Sequence, residues 1–228
     1  SISDSLELFK DDELLFEPDT SFLYSTYGYT LVSAVVEGAT KQSFLDLLQK
    51  RILEPLGMHQ TAVDDENAER ANNYLIASDD TVYPAPPTNA SYRWAGGGLI
   101  STPTDLTRFG VAMLENQLLS KSTSEIVFTP RTTVDGEVNA QRYGLGWRVG
   151  NIEYGRDESR PEKTPVFHHG GWGVGNTSIL LLLPEQDIVI AMVANTSGEK
   201  GPNELTRIAS SIVEEFVDFQ IQLNETVP

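Results

Sequence analysis

Thr177–Leu183 (TSILLLL) and Ile188–Ala194 (IVIAMVA) are two apolar segments of strand length, and the four residues Pro184–Asp187 (PEQD) join them. Apolar segments separated by so short a turn are typical of a β-hairpin, so the sequence predicts two antiparallel strands here. Leu145–Val149 (LGWRV) also predicts a strand. The second half of the chain is therefore expected to be built on antiparallel β-structure.

Helical patterns stand on both sides of these strands. Apolar residues recur at i, i+3, i+4, i+7 and i+8 near the C-terminus: Leu205, Ile208, Ala209, Ile212, Val213, Phe216 and Val217. Upstream, Tyr27–Glu37 shows helical spacing, and Thr102 followed by Pro103 is typical of a helix start. This order predicts an α+β fold, with a mainly helical part at residues 1–142 and antiparallel strands covered by a C-terminal helix at residues 143–228.

The composition excludes several classes of function. Sixteen basic and thirty-three acidic side chains give a net charge of −17, which disfavours nucleic acid and anionic membranes as partners. The chain has no cysteine and three histidines, two of them adjacent, so neither a thiolate site nor a zincin-type motif can be built. The longest apolar run, Ile188–Ala194, is too short to span a bilayer. We therefore expect no metal, no cofactor and no membrane span.

Five short segments carry information about function. In chain order they are Tyr24–Leu31 (YSTYGYTL) with Glu37, Pro55–Met58 (PLGM) with Thr61, Ala95–Thr102 (AGGGLIST) with Asp105 and Phe109, Tyr143–Trp147 (YGLGW), and His168–Gly171 (HHGG). Together they resemble the serine β-lactamase and penicillin-binding-protein family, in its class C-like branch. The resemblance extends over nearly the whole chain. It implies a β-lactamase/transpeptidase-like fold that is incomplete at its N-terminus.

The resemblance also implies an acyl-serine mechanism acting on an ester, a D-amino-acid peptide or a β-lactam. Such acyl transfer needs a serine oxygen, a base that takes its proton, and donors aimed at the developing oxyanion. By resemblance Tyr24 is the phenolic base or proton relay, and His168 adds positive charge or a hydrogen bond. The backbone N–H of Gly171 is the candidate oxyanion donor.

Four further residues are expected to bind substrate by resemblance: Thr26, His169, Gly170 and Trp172. Two of them depart from the family pattern, because Thr26 stands where an Asn is usual and His169 where a Thr or Ser is usual. The individual roles of His168 and His169 therefore stay open. Outside the five-part pattern, a lone tyrosine or a lone sheet-end histidine would more often be a packing residue.

The family nucleophile, a Ser-x-x-Lys pair at the start of a buried helix, has one formal match here, Ser197–Lys200 (SGEK). It lies in a loop with Pro202 close behind, which does not suit a buried helix start. The chain also opens at Ser1 without a methionine or a leader. We therefore expect the nucleophile in a segment N-terminal to Ser1, and no turnover by this chain alone.

The expected partners follow from that gap. They are the chain's own N-terminal segment carrying Ser-x-x-Lys, or a second copy of the chain, together with a small-molecule or peptide substrate. The alternative function is a non-catalytic, self-associating scaffold or binding member of the same fold. The compartment stays open: the resemblance favours a periplasmic or secreted location, and the cytoplasm is not excluded.

Overall fold

The structure is a computed structural model that describes residues 1–154, 162–198 and 203–226. The helices are α1 (Ile2–Leu6), α2 (Thr26–Thr40), α3 (Phe44–Leu48), α4 (Glu54–Leu56), α5 (Pro103–Leu114), α6 (Lys121–Val127) and α7 (Asn203–Thr226), with a π-helical segment at Gln49–Leu53 and a 3-10 segment at Ser91–Gly96. The strands are β1 (Ala62–Val63), β2 (Tyr74–Ile76), β3 (Val82–Pro84), β4 (Leu99–Ile100), β5 (Arg148–Tyr154), β6 (Glu162–Gly173), β7 (Asn176–Leu183), β8 (Ile188–Ala194) and β9 (Thr196–Gly198). The predicted α+β arrangement is confirmed.

The main sheet is antiparallel and four-stranded, in the order β5-β6-β7-β8. One of its two inner strands is β7, whose consecutive leucines alternate between two cores because strand side chains alternate between faces. Ile179, Leu181 and Leu183 pack against α7, whereas Leu180 and Leu182 pack against α5 and Trp147. The apolar run of β7 is continuous because helices cover both faces of the sheet. Burial of each of these leucines stabilises the fold by roughly 2 kcal/mol.

Helices α2, α3 and α5 begin at a capping side chain, and the sequence predicts the one at Thr102. The side chains of Ser25, Ser43 and Thr102 each accept a hydrogen bond from the backbone N–H three residues later, which supplies a partner to an otherwise free helical donor. Pro103 is the first residue of α5, where its missing N–H costs nothing. The predicted start of α5 is confirmed, and its apolar residues Leu106, Phe109 and Met113 pack on the sheet.

The sequence predicts that the segment Pro55–Met58 ends the preceding helix, and this is confirmed: the helical run continues to Leu56, and Gly57 ends it with a left-handed φ of 65°. Two other local expectations were wrong. The predicted strand at Leu145–Val149 begins only at Arg148. The segment 64–92 is polar and contains Pro84, Pro86 and Pro87, so the sequence predicts little regular structure there, but the segment contains β2 and β3.

The strands in segment 64–92 belong to a second sheet. In this sheet β2 pairs antiparallel with β3 and parallel with β9, and β9 follows directly after the main sheet. A distant strand therefore stabilises a polar, proline-containing segment that has no amphipathic pattern of its own. The division at residues 142 and 143 stays a prediction. Among the described residues no helix has the length and apolar content needed to cross a bilayer.

Candidate active site

Tyr24 lies immediately before α2, where the Ser25 cap fixes the direction of the chain. Its half-buried ring is surrounded by other rings, with centroid distances of 6.4 Å to Tyr29, 5.6 Å to Tyr143 and 5.7 Å to His169. These neighbours come from α2, from the loop before β5 and from β6. The structure thus brings Tyr24 and His169, 145 positions apart in sequence, to one place.

A chain of hydrogen bonds runs beside Tyr24. Nδ1 of His169 lies 2.8 Å from the carbonyl oxygen of Gly170, which can only accept, so Nδ1 carries the hydrogen. Nε2 of the neutral ring is then an acceptor, and the Tyr143 hydroxyl donates to it over 2.9 Å. The Tyr29 hydroxyl donates in turn to the Tyr143 oxygen over 3.1 Å. The chain fixes the tautomer of His169 and the orientation of its ring.

Arg148, the first residue of β5, brings a positive charge to this cluster. Its Cζ lies 5.4 Å from the ring centroid of Tyr24 and 5.6 Å from that of Tyr143. Its Nη2 donates to Oε1 of Gln141 over 2.9 Å. In the sheet it stands directly opposite His168. The guanidinium is therefore held between two phenol rings and one amide.

Burial and charge act on the phenols in opposite directions. Burial raises the pKa of Tyr24 above its ordinary value, and the positive charge of Arg148 opposes that rise. Burial also raises the pKa of Tyr143, and the neighbouring phenols of Tyr29 and Tyr24 raise it further because a second negative charge beside them is unfavourable. Tyr143 is therefore a neutral hydrogen-bond donor across the physiological range. Tyr24 makes no hydrogen bond to another described residue through its hydroxyl, which suits a role in proton transfer.

His168 occupies a different environment from its neighbour. Its Nδ1 is buried and has no hydrogen-bond partner in the described part of the chain. Burial, with the nearby charge of Arg148, lowers the pKa of His168 to about 4. Burial likewise lowers the pKa of His169. Both rings are neutral near pH 7, and His169, not His168, is in ring contact with Tyr24. The assignment of His168 as a catalytic residue stays a prediction.

The strand β6 changes its pairing at the candidate site. Its ladder with β5 ends at the pair Arg148 and His168, whereas its ladder with β7 continues through Gly170 and Gly171 to Gly173. Beyond His168, β6 therefore pairs with a described strand along one side only. Trp172 is 61% exposed there. This arrangement leaves a length of backbone beside Tyr24 that an extended substrate could approach.

Thr26, the first residue of α2, is half-buried and packs against the glycine-rich segment. A Cβ built on Gly96 would lie 2.4 Å from the carbonyl oxygen of Thr26 and 3.0 Å from its Cγ2. Only a residue without a side chain allows this approach of two backbones. The segments at Tyr24–Leu31 and Ala95–Thr102, recognised separately in the sequence, are thus in direct contact.

Sequence reasoning missed three members of the cluster: Tyr29, Tyr143 and Arg148. Both tyrosines lie inside recognised segments, so their positions carried a signal. Arg148 carried none, because its contact with Tyr24 depends on strand register. Among the described residues no group of three His, Asp or Glu side chains could hold a metal ion.

Comparison with known proteins adds sequence evidence to this geometry. The family model described as Beta-lactamase matches residues 3–212. The serine beta-lactamase-like protein LACTB, mitochondrial, of Bos taurus is 37% identical over 203 residues, which covers 80% of this chain and 36% of that protein. Penicillin-binding protein 4 of Amycolatopsis lactamdurans is 30% identical over 191 residues, covering 78% of this chain and 48% of that protein. The chain thus spans less than half the length of these relatives.

Solved structures agree with the fold. The octameric penicillin-binding protein homologue from Pyrococcus abyssi superposes with a TM-score of 0.69 at 25% identity, covering 86% of this chain and 44% of that chain. A D-stereospecific amidohydrolase from Streptomyces sp. superposes with a TM-score of 0.72 at 22% identity, covering 91% of this chain and 59% of that chain. The second similarity shows the fold alone.

Proposed function

The chain belongs to the beta-lactamase family, and from this premise we propose that it is the C-terminal portion of a serine hydrolase that works through an acyl-serine intermediate. One observation carries the proposal: Tyr24, His169 and Arg148 converge beside the length of β6 that is paired on one side only. A tyrosine next to a cation and an open strand edge is suited to accept a proton from a serine while a substrate lies along the strand. Tyr24 belongs to the part at residues 1–142, whereas Arg148 and His169 belong to the part at residues 143–228, so the proposed site would draw on both parts.

In the proposed reaction a serine from outside these 228 residues attacks the substrate carbonyl carbon, and its proton passes to the phenolate oxygen of Tyr24. The Gly171 N–H would stabilise the oxyanion, as one donor of a pair. The carbonyl carbon then loses its leaving group, which takes the proton from Tyr24. Water then attacks the acyl carbon of the acyl-serine. Tyr24 takes the proton from the water and returns a proton to the serine oxygen as it leaves. Thr26, Gly170 and Trp172 would line the substrate.

The proposal includes inactivity of the chain alone. Ser197 is 5% exposed, its Oγ accepts the N–H of Gly175 over 2.8 Å, and it belongs to β9. A serine oxygen engaged in holding two segments together is poorly placed as a nucleophile. Lys200, its formal partner, lies outside the described residues. These contacts support a nucleophile on a segment outside Ser1–Pro228.

Covalent labelling tests both parts of the proposal. A fluorophosphonate probe should leave the 228-residue chain unlabelled and should label the serine of a Ser-x-x-Lys pair in a longer polypeptide that carries one upstream of Ser1. In that longer polypeptide Tyr24→Phe should slow labelling about a hundredfold, because proton removal by a positioned base contributes about that factor. Tyr92→Phe, at an exposed tyrosine, is the matched control. A labelled serine within these 228 residues would contradict the proposal.

A second candidate function is a self-associating, non-catalytic member of the fold. Three apolar residues on α2 are exposed, Leu31 by 47%, Val32 by 49% and Val35 by 61%, and β8 lies at the edge of the main sheet. The Pyrococcus abyssi homologue is described as octameric. Light scattering during size-exclusion chromatography distinguishes the two candidate functions. The scaffold function predicts an oligomer that Val35→Asp weakens. It also predicts that the longer polypeptide forms this oligomer although the fluorophosphonate probe does not label it.

A further inference from the structure

Arg148 is a cation without a carboxylate partner among the described residues, although the chain contains thirty-three acidic side chains. Its recorded contacts are the amide oxygen of Gln141 and the faces of two phenol rings. These contacts place its positive charge beside the ring of Tyr24.

The other titratable groups around Tyr24 supply no positive charge. Burial lowers the pKa of His169, so its ring is neutral near pH 7, with Nδ1 donating to the Gly170 carbonyl and Nε2 accepting from Tyr143. Tyr29 and Tyr143 are phenols, and any negative charge on Tyr29 would oppose one on Tyr24. His168, opposite Arg148 in the sheet, is neutral as well. Within the described surroundings, Arg148 is the charged group that can favour a negative Tyr24 oxygen.

We propose that Arg148 is a positioning residue for Tyr24: its guanidinium stacks over the phenol ring, fixes the ring's orientation and stabilises the phenolate form. This role of Arg148 rests on the proposed function only where the Tyr24 phenolate is called the catalytic base. The effect of the Arg148 charge on Tyr24 does not require a substrate.

The shape of the side chain is part of the inference. A planar guanidinium can lie on aromatic faces while its N–H groups still donate in its own plane, which a lysine ammonium cannot reproduce. In this protein the guanidinium lies over the rings of Tyr24 and Tyr143, and one of its N–H groups donates to Gln141. Lysine at this position would keep the charge and lose the stacking.

The test is a titration of Tyr24 by fluorine NMR, with 3,5-difluorotyrosine placed at position 24 of the 228-residue chain. The ring fluorines make the phenol more acidic, so that it titrates while the protein stays folded. We expect Arg148→Gln to raise the midpoint by about one pH unit, a tenfold change in proton affinity, which is the usual effect of removing an opposite charge at such a distance. Arg148→Lys and Gln141→Ala should raise it by less.

The matched control is Arg93→Gln. Arg93 stacks on Tyr92 with its Cζ 5.6 Å from that ring, so this variant removes an equivalent pair elsewhere and should leave the Tyr24 midpoint unchanged. An Arg148→Gln midpoint equal to that of the wild type would overturn the proposal. If that variant does not fold, unchanged midpoints in both Arg148→Lys and Gln141→Ala would overturn it equally.

The titration is independent of turnover, so the two proposals fail separately. If Arg148→Gln raises the Tyr24 midpoint but the longer polypeptide hydrolyses no substrate, the role of Arg148 is supported and the hydrolase function is rejected. If an upstream serine is labelled but Arg148→Gln leaves the Tyr24 midpoint unchanged, the hydrolase function is supported and the role of Arg148 is rejected.

Discussion

The hydroxyl of Tyr143 lies 2.9 Å from Nε2 of His169, and it is the donor because the other ring nitrogen already donates to the Gly170 carbonyl. Tyr143 is 4% exposed, and its backbone N–H is bound separately by Oδ1 of Asn139. The ring position of Tyr143 is therefore set by the loop, while the hydroxyl serves His169. Loss of the hydroxyl should disturb the site without displacing the ring.

Tyr143→Phe should lower the free energy of unfolding by about 2 kcal/mol, because it leaves the half-buried Nε2 of His169 without a donor. Tyr29→Phe removes the outer donor of the same chain and should cost about 1 kcal/mol or less. Urea denaturation followed by circular dichroism measures both. If the chain acts as a unit, the double variant should cost less than the two single changes added together.

The control for this series is Tyr92→Phe, whose hydroxyl accepts a bond from Nε of Arg93 at an exposed position. This change should alter the free energy of unfolding by less than about 0.5 kcal/mol. A loss as large as that of Tyr143→Phe would show that the Tyr143 result reflects a general effect of removing phenol hydroxyls.

The lowered pKa of His168 predicts that the fold loses stability in acid. Its folded-state pKa of about 4 is below the ordinary value of 6.5, so the unfolded chain binds the proton more tightly. The stability contribution is complete above pH 6.5 and is lost as the pH falls from 6.5 toward 4. We expect a loss of about 2 kcal/mol across that window, less than the full linkage value because water still reaches part of the ring. The lowered pKa of His169 acts in the same direction.

Urea denaturation at several pH values between 4 and 7 measures this dependence, and His168→Gln should flatten it. His59→Gln, at an exposed histidine, should leave the curve of the wild type unchanged. Parallel losses of stability in His168→Gln and the wild type as the pH falls would contradict this role of His168.

Local features were the most predictable from sequence. The cap at Thr102, the hairpin around Pro184–Asp187 and the helix α7 depend on residues close together in the chain, and the structure confirms them. On α7 the predicted apolar residues Ala209 and Val213 are buried, whereas Phe216 is 55% exposed.

Of the candidate site, Tyr24 and His169 were singled out in advance and lie together. The contribution of Arg148 depends on the register of β5 against β6, and the strand β2 depends on a partner 122 positions away. No local pattern encodes either pairing.

Asp105 should be a stability residue outside the candidate site. Its fully buried carboxylate accepts from the N–H of Gln60 at 2.8 Å, from Oγ1 of Thr61 at 2.9 Å and from Nη1 of Arg108 at 2.8 Å. Asp105→Asn removes the charge and turns an NH2 donor toward either Arg108 or the N–H of Gln60. We expect a loss of about 2 kcal/mol by urea denaturation, because the substitution leaves a buried donor without an acceptor. Asp11→Asn, at an exposed aspartate, should be near neutral, and an equal loss in both would contradict this interpretation.

Gly175 connects the main sheet to the segment that sequence reasoning expected to be irregular. It has a left-handed φ of 77°, and a Cβ there would lie 2.6 Å from Cβ of Ala85 and 2.9 Å from Cβ of Asn73. Gly175→Ala therefore adds a steric clash to the backbone strain. Gly136→Ala is the matched control, since Gly136 has a φ of 86° and no atom within 4 Å of the added Cβ.

The control should cost about 1 kcal/mol, the usual price of an L-residue in the left-handed region. Gly175→Ala should cost at least about 2 kcal/mol more, because neither Ala85 nor Asn73 can move its Cβ without moving backbone. Urea denaturation gives both values. Hydrogen exchange should then locate the damage in β2 and β9, whose pairing depends on the approach of the turn at Gly175. Equal losses in the two variants would mean that this turn and the segment 64–92 do not pack together.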